Sequence, residues 1–313
     1  MNRKLIRTTA LLFVIAALMA APIASRGEHD GKLQILILGD STAECSIPRK
    51  LVPEGPHLED VIRQLLAAEG DLPPCNVINV ALSGEFIHRL LDTGRYDKVA
   101  SKLPGLDYIL VRYGLNDVAR RENFDVNFPQ DFHKLIARLR KDHPAATIIP
   151  MTVIPMAFNP KTEVGQTGMS VSQSTSVFGL KAEGEDTASK RINDLVRRVA
   201  EEEKLPLFDI YPRYYEELKK GPNMLNYRRF PLAKIPEKYR EFVKPFVANE
   251  KEPKVVVMDN RLDAHFGNLP GWYGDRHPNL AGYHVIGDET AKFLAPMIRA
   301  KLGKAKPASG GKE

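Results

Sequence analysis

The chain has 313 residues, 43% of them hydrophobic and 27% charged, an ordinary globular composition with apolar material for one large core or two modest ones. Its formal net charge of +6 falls to +3 once Arg3, Lys4 and Arg7 are set aside with the leader described below, and the other basic groups are scattered. Intrinsic disorder and a nucleic-acid-binding surface are therefore poor readings.

The first residues are Met1-Asn2-Arg3-Lys4-Leu5-Ile6-Arg7, followed by an apolar run from Thr8 to about Ala21 and by small residues and Pro22 before Ser25-Arg26-Gly27-Glu28. A basic stretch, an apolar stretch and a small-residue zone are the layout of a secretory signal peptide, here over residues 1–25. A membrane-spanning helix needs about 20 apolar residues, which this run approaches without reaching. The expectation is a secreted or periplasmic protein with no stable membrane insertion after cleavage.

From Leu33 onward, apolar strands alternate with amphipathic helices, the pattern of a parallel sheet covered on both faces. Residues 33–38 are nearly all apolar and run straight into Gly39-Asp40-Ser41. Leu58, Val61, Ile62, Leu65 and Leu66 fall on one stripe and predict a helix over 58–68. A second strand over 77–82 ends at Ser83-Gly84, and a third over 108–113 ends at Gly114-Leu115-Asn116-Asp117. A helix over about 129–141 follows. Pro150 removes a ladder donor from the fourth strand, 147–154, and predicts a bulge or bend there.

Residues 158–181 read as a long loop, 182–203 as a helix, 207–211 as a fifth strand, and the final helix begins near Asn279. An insertion over about 212–271, rich in Tyr, Arg, Pro and Lys, is predicted to hold a helix over 236–247 and a short strand over 255–258. It reads as an elaboration near the strand ends, where ligands bind in open α/β sheets, without a core of its own. The Lys-rich residues 303–313 read as a flexible tail, which leaves 31–302 as the folded domain. In an oxidising compartment Cys45 and Cys75 could pair, but this layout puts them at opposite ends of the sheet, and a disulfide needs Cα atoms within about 7 Å.

Four short clusters fall at strand ends or just before the last helix. A serine hydroxyl becomes a nucleophile only when a base removes its proton, so such a site needs Ser, a neutral His and donors for the developing oxyanion. Ser41 follows the first strand through a turn that exposes its hydroxyl, although Ser at a helix start is also an ordinary cap. Gly84 allows close approach of a backbone N–H. Asn116 offers a side-chain amide, or else serves as a turn residue. His277, in Gly274-Asp275-Arg276-His277-Pro278-Asn279, has an acid two residues upstream and Pro-Asn after it, a setting for a base near neutral pH.

Taken together, Gly39-Asp40-Ser41, Asn79-Val80-Ala81-Leu82-Ser83-Gly84, Gly114-Leu115-Asn116-Asp117 and His277-Pro278-Asn279 with Gly282-Tyr283 resemble the four blocks of the SGNH/GDSL hydrolase superfamily. The resemblance spans about 33–302. It implies a three-layer α/β/α sandwich with a five-stranded parallel sheet, the flavodoxin-like SGNH hydrolase fold. It further implies that Ser41 attacks an ester carbonyl, that His277 is its general base, and that the Ser41 and Gly84 N–H groups and the Asn116 amide hold the oxyanion. The superfamily usually places its orienting Asp three residues before the His, where this chain has Gly274. Asp275 is the nearest replacement, ahead of Asp263, Asp259, a backbone carbonyl or a Ser-His dyad.

The Gly-Asp-Ser-Thr form of the first block is similar to that of rhamnogalacturonan acetylesterase-like members, though the third block lacks their Gly-His-Asn form. With export, this points to removal of O-acetyl groups from a carbohydrate without a cofactor. Tyr214, Tyr215, Tyr227, Tyr239, Trp272 and Tyr273 are candidates either for a sugar-stacking wall or for packing the insertion onto the sheet. A lysophospholipase or thioesterase of the same superfamily and a non-catalytic glycan-binding protein are the alternatives. His57, His88, His133, His143, His265, His277 and His284 show no metal-ligand spacing.

Overall fold

The computed structural model describes residues 31–155, 187–220, 224–248, 250–275 and 277–305. The predicted signal peptide, the loop over 158–181 and the end of the tail lie outside the described residues. Four parallel strands, β1 (Leu33–Gly39), β2 (Cys75–Asn79), β3 (Tyr108–Arg112) and β4 (Thr147–Pro150), form a sheet in the order β2-β1-β3-β4.

Every residue of β1 is buried, because both faces of the sheet are covered. Leu33, Ile35 and Ile37 enter one apolar layer together with Leu58, Ile62 and Leu66 and with Ile286, Leu294 and Ile298. These come from the helices Leu58–Ala68 and Leu280–Ala305, which pack on each other. Leu36 and Leu38 point the other way, into a layer with Phe128, Phe132, Leu135, Val196 and Val199 from the helices Phe124–Asp142 and Thr187–Glu202. The strand period of two thus produces the three layers. Phe124–Asp142 begins upstream of its predicted start and carries Pro129 inside. The buried stripe of Phe124, Phe128 and Phe132 explains the extension, with Phe124 stacked on Phe128 and Phe128 tilted against Phe132.

The expected fifth strand is corrected: the sheet has four. The segment over 207–211 reaches the correct edge but makes a single bridge, Phe208 to Met151. Two bonds across the chain account for this. The Val153 N–H donates to Asn193 Oδ1 at 2.7 Å and the Val153 carbonyl accepts from Asn193 Nδ2 at 3.1 Å, so a helix side chain takes the groups a neighbouring strand would have paired. On the other side, Tyr211 already opens the helix Tyr211–Lys220.

The insertion folds around a second sheet, antiparallel, in which β7 (Lys254–Val257) lies between β5 (Arg228–Pro231) and β6 (Val247–Ala248). Contrary to the sequence reading, it has its own apolar cluster, built from Phe230, Val243, Val255, Val257, Phe266 and Trp272. The helix predicted over 236–247 is broken into short pieces, Glu237–Tyr239, Arg240–Val243 and Lys244–Phe246. Cys45 and Cys75 are both buried free thiols, and burial pushes the Cys45 thiol up to about 12.

Candidate active site

In this strand order the chain switches direction between β1 and β3, and the crevice beyond their carboxyl ends is where a ligand fits in an open parallel sheet. Ser41, Gly84 and Asn116 all stand there. A Cβ on Gly39 would lie 2.9 Å from Ala43 Cβ and 3.1 Å from the Arg112 carbonyl, so the turn into Ser41 requires glycine. Buried Asp40 then caps the short helix Ser41–Glu44, its Oδ1 accepting from Thr42 N at 2.9 Å and from Thr42 Oγ1 at 2.7 Å. The Gly-Asp-Ser-Thr run is thereby a self-contained turn that turns Ser41 toward the crevice. Tyr283 completes it, its hydroxyl donating to the Ser41 carbonyl at 3.2 Å.

Gly84 has φ +76, a left-handed backbone that a side chain would strain. Its loop is tied down on three sides: Ser83 N–H donates to Glu44 Oε2 at 2.6 Å, Arg120 Nη1 donates to the Gly84 carbonyl at 2.7 Å, and Asn116 Nδ2 donates to the Glu85 carbonyl at 3.1 Å. The Ser41 and Gly84 N–H groups have no acceptor among the described residues, and Asn116 keeps its second amide hydrogen. Asp117, next to Asn116, is buried and accepts from the N–H groups of Ile87 and Gly114. Desolvation, with the Asp40 charge adding to it, pushes its carboxyl up to about 7.

Across the crevice, His277 Nε2 lies 2.8 Å from Ser41 Oγ, and His277 Nδ1 lies 2.6 Å from Asp275 Oδ1. The same carboxylate oxygen accepts the His277 backbone N–H at 3.1 Å. With a spacing of two, the loop folds tightly enough for Asp275 to reach both the ring and the main chain of His277. Burial works against the imidazolium, but the Asp275 hydrogen bond and charge outweigh it and raise His277 above its ordinary value. Asp275 is likewise held below the usual carboxylate range, its own burial being outweighed by His277 and then by Arg229.

The insertion braces this arm. Tyr227 stacks on the His277 ring at 5.8 Å between centroids and 12° between planes. Tyr227 N and Asn226 Nδ2 both donate to the His277 carbonyl at 3.3 Å. Asn279 Nδ2 donates to the carbonyls of Met224 at 2.8 Å and Met258 at 3.0 Å, and Asn279 N to that of Leu225 at 2.8 Å. Arg229 Nη1 lies 4.0 Å from Asp275 Oδ2 and pairs with Glu250 on its other side.

Of the alternative acids, Asp263 accepts from Arg228 Nε at 2.9 Å and Trp272 Nε1 at 2.8 Å, and Asp259 pairs with Arg261. The crevice encloses about 350 Å³ and is lined by Ser41, Gly84, Asn116 and His277 together with Ser46, Ile47, Pro48, Ser83, Arg120, Tyr227, Arg229 and Tyr283. Of the candidate aromatic wall only Tyr227 lines it. Tyr214 and Trp272 are fully buried, Tyr239 packs on Phe266, Tyr273 faces Arg228, and Tyr215 stacks on Tyr211. Sequence reading missed Arg120 and Arg229, which stand outside every block. Among the described residues no cluster of three or more His, Cys, Asp or Glu could hold a metal, and no helix is long and apolar enough to cross a membrane.

Residues 37–285 match the GDSL-like lipase/acylhydrolase family, a span that contains Ser41, Gly84, Asn116, Asp275 and His277. The chain belongs to this family. It is a carboxylic ester hydrolase. Among solved structures, a protein from Parabacteroides merdae described as a GDSL-like lipase is similar at 14% identity, covering 85% of this chain and 96% of its own, with a TM-score of 0.51. The acetylxylan esterase Axe2 of Geobacillus stearothermophilus aligns at 15% identity over 84% of this chain and 94% of its own, with a TM-score of 0.48. The acetyl xylan esterase AlAXEase aligns at 15% identity over 84% of this chain and 100% of its own, also at 0.48. At 14% identity the likeness to the Parabacteroides merdae protein concerns the fold alone. Comparison with curated proteins gives no matching sequence.

Proposed function

We propose that Ser41, His277 and Asp275 are the catalytic triad of an exported esterase that removes O-acetyl groups from a carbohydrate. The observation that carries the reading is the unbroken chain from Asp275 Oδ1 through the imidazole to Ser41 Oγ, at 2.6 and 2.8 Å. In this mechanism His277, neutral above its raised pKa, accepts the Ser41 proton as Oγ attacks the ester carbonyl, and Asp275 stabilises the imidazolium that forms. The Ser41 and Gly84 N–H groups and the free hydrogen of the Asn116 amide receive the oxyanion. His277 then hands its proton to the leaving sugar oxygen. Water, deprotonated by the same ring, hydrolyses the acyl-enzyme.

A small acyl group and a polar alcohol suit a crevice of about 350 Å³ whose walls carry Ser46, Ser83, Asn116, Arg120 and Arg229 beside Ile47 and Pro48. Export is supported by the basic, apolar and small-residue order of 1–25. The purified protein should release p-nitrophenol from the acetate ester faster than from long-chain esters, and acetate from an acetylated oligosaccharide, with both activities lost in Ser41→Ala. Activity surviving in that variant removes Ser41 from the chemistry. A preference for acyl chains of about eight carbons or more replaces the carbohydrate reading with a lipid one.

A further inference from the structure

Among the described residues, two arginines line the crevice and no carboxylate does. They are not equivalent. Arg229 is committed, paired with Glu250 and lying 4.0 Å from Asp275. Arg120 makes no ion pair among the described residues. Its near neighbours are taken up elsewhere: Asp117 is buried on the Ile87 and Gly114 N–H groups, and Glu85 pairs with Arg95 and faces Arg89. Yet Arg120 is held in place. One N–H is spent on the Gly84 carbonyl at 2.7 Å, and the guanidinium carbon stands 6.0 Å from the centre of the Phe86 ring.

A guanidinium has five N–H donors in a rigid plane, so fixing one leaves a pre-aimed fork whose geometry matches a carboxylate. The acyl group must lie deep, at Ser41. Arg120 is exposed and lines the same crevice beside Gly84, open to the alcohol part of an ester. We infer that Arg120 is a substrate-binding residue that selects acidic glycans, by receiving a carboxylate of a uronic acid in the acetylated chain. This rests on the esterase reading above and adds the charge class of the substrate.

The test compares acetate release from an O-acetylated oligouronate with free carboxylates and from the same oligomer with its carboxylates methyl-esterified. The protein should favour the free acid by about tenfold in kcat/KM, what one charge-assisted hydrogen bond supplies, with the difference residing in KM. Arg120→Gln should bring the ratio close to one, and Arg120→Lys should retain part of it. Added salt should raise KM for the free acid and leave the methyl ester unchanged, a measurement on the unaltered protein that holds even if the variants fold poorly. An equal rate on both oligomers overturns the inference, as does a preference that persists in Arg120→Gln. So does an equal loss on both, which would reduce Arg120 to a brace for the Gly84 loop. Ser41-dependent hydrolysis of p-nitrophenyl acetate separates the two levels: if it is present while the preference is absent, only the acidic-glycan inference falls; if it is absent, the esterase site falls and takes the inference with it.

Discussion

The two arms of the proposed site, one for the nucleophile and one for the base, rest on different kinds of structure. Ser41, Gly84 and Asn116 follow β1, β2 and β3, strands with helices on both faces, and their loops are tied to one another by Glu44, Arg120 and Asn116. Asp275 and His277 lie on the segment that leaves the insertion, and what holds them is the insertion's backbone and side chains: Asn226, Tyr227, Arg229 and the carbonyls that Asn279 ties together. The nucleophile arm inherits its position from the main core, whereas the base arm depends on a small antiparallel sheet with a separate core. Damage to the insertion should therefore act on catalysis through His277 without unmaking the Ser41 turn.

The sharpest test of the base arm is Asp275→Asn. Asn presents an amide where the imidazole needs an acceptor for its Nδ1 proton, so the wrong tautomer results, and kcat should fall by about 10⁴ while the fold persists. A loss below about tenfold would mean that another group orients His277 and that the 2.6 Å contact is incidental.

Next in size is the support of that arm. Asp263 neutralises Arg228, which is almost wholly buried, and holds the Trp272 indole. Removing the carboxylate from such a buried pair costs about 3 kcal/mol, so Asp263→Ala should unfold at clearly lower denaturant. If the two-arm picture holds, activity is lost along with insertion structure before the main sheet melts, as hydrogen exchange would resolve. A single transition for both regions would break the comparison. On the nucleophile arm, Asn116→Ala should lower kcat by about 10²–10³ with little change in stability if its amide meets the oxyanion; a near-normal rate would leave it only the bond to Glu85.

How much of this was legible in the sequence follows the same division. Strand period and helical stripe placed β1, β3 and the helix Leu58–Ala68 within a residue, because a buried element writes its burial into its own residues. The proposed site residues stood out because Ser41, Gly84 and Asn116 follow strands and His277 precedes the last helix. The fifth strand failed for a long-range reason: Asn193, some forty residues away, satisfies the Val153 backbone, and no local pattern announces that. The insertion failed because its core is assembled from short pieces between Phe230 and Trp272, none long enough to show a period. Arg229 and Arg120 carried no local signal at all, since a charged residue on an edge strand or a short helix is ordinary until its neighbours are known.

The smallest expected effect probes the electrostatic link that Arg229 makes between the insertion and the proposed triad. Arg229 works against the charged forms of His277 and opposes protonation of Asp275. In Arg229→Met that cation is gone and Glu250 is left unpaired, and both changes favour the imidazolium. The His277 pKa should therefore rise, and since only neutral imidazole accepts the Ser41 proton, the acid limb of kcat/KM should move to higher pH. At the alkaline plateau the loss should stay under about fivefold, the range of a partly exposed ion pair. A shift toward lower pH would mean that Arg229 acts by holding loop geometry, and an unmoved limb with a large plateau loss would make the insertion's role purely mechanical.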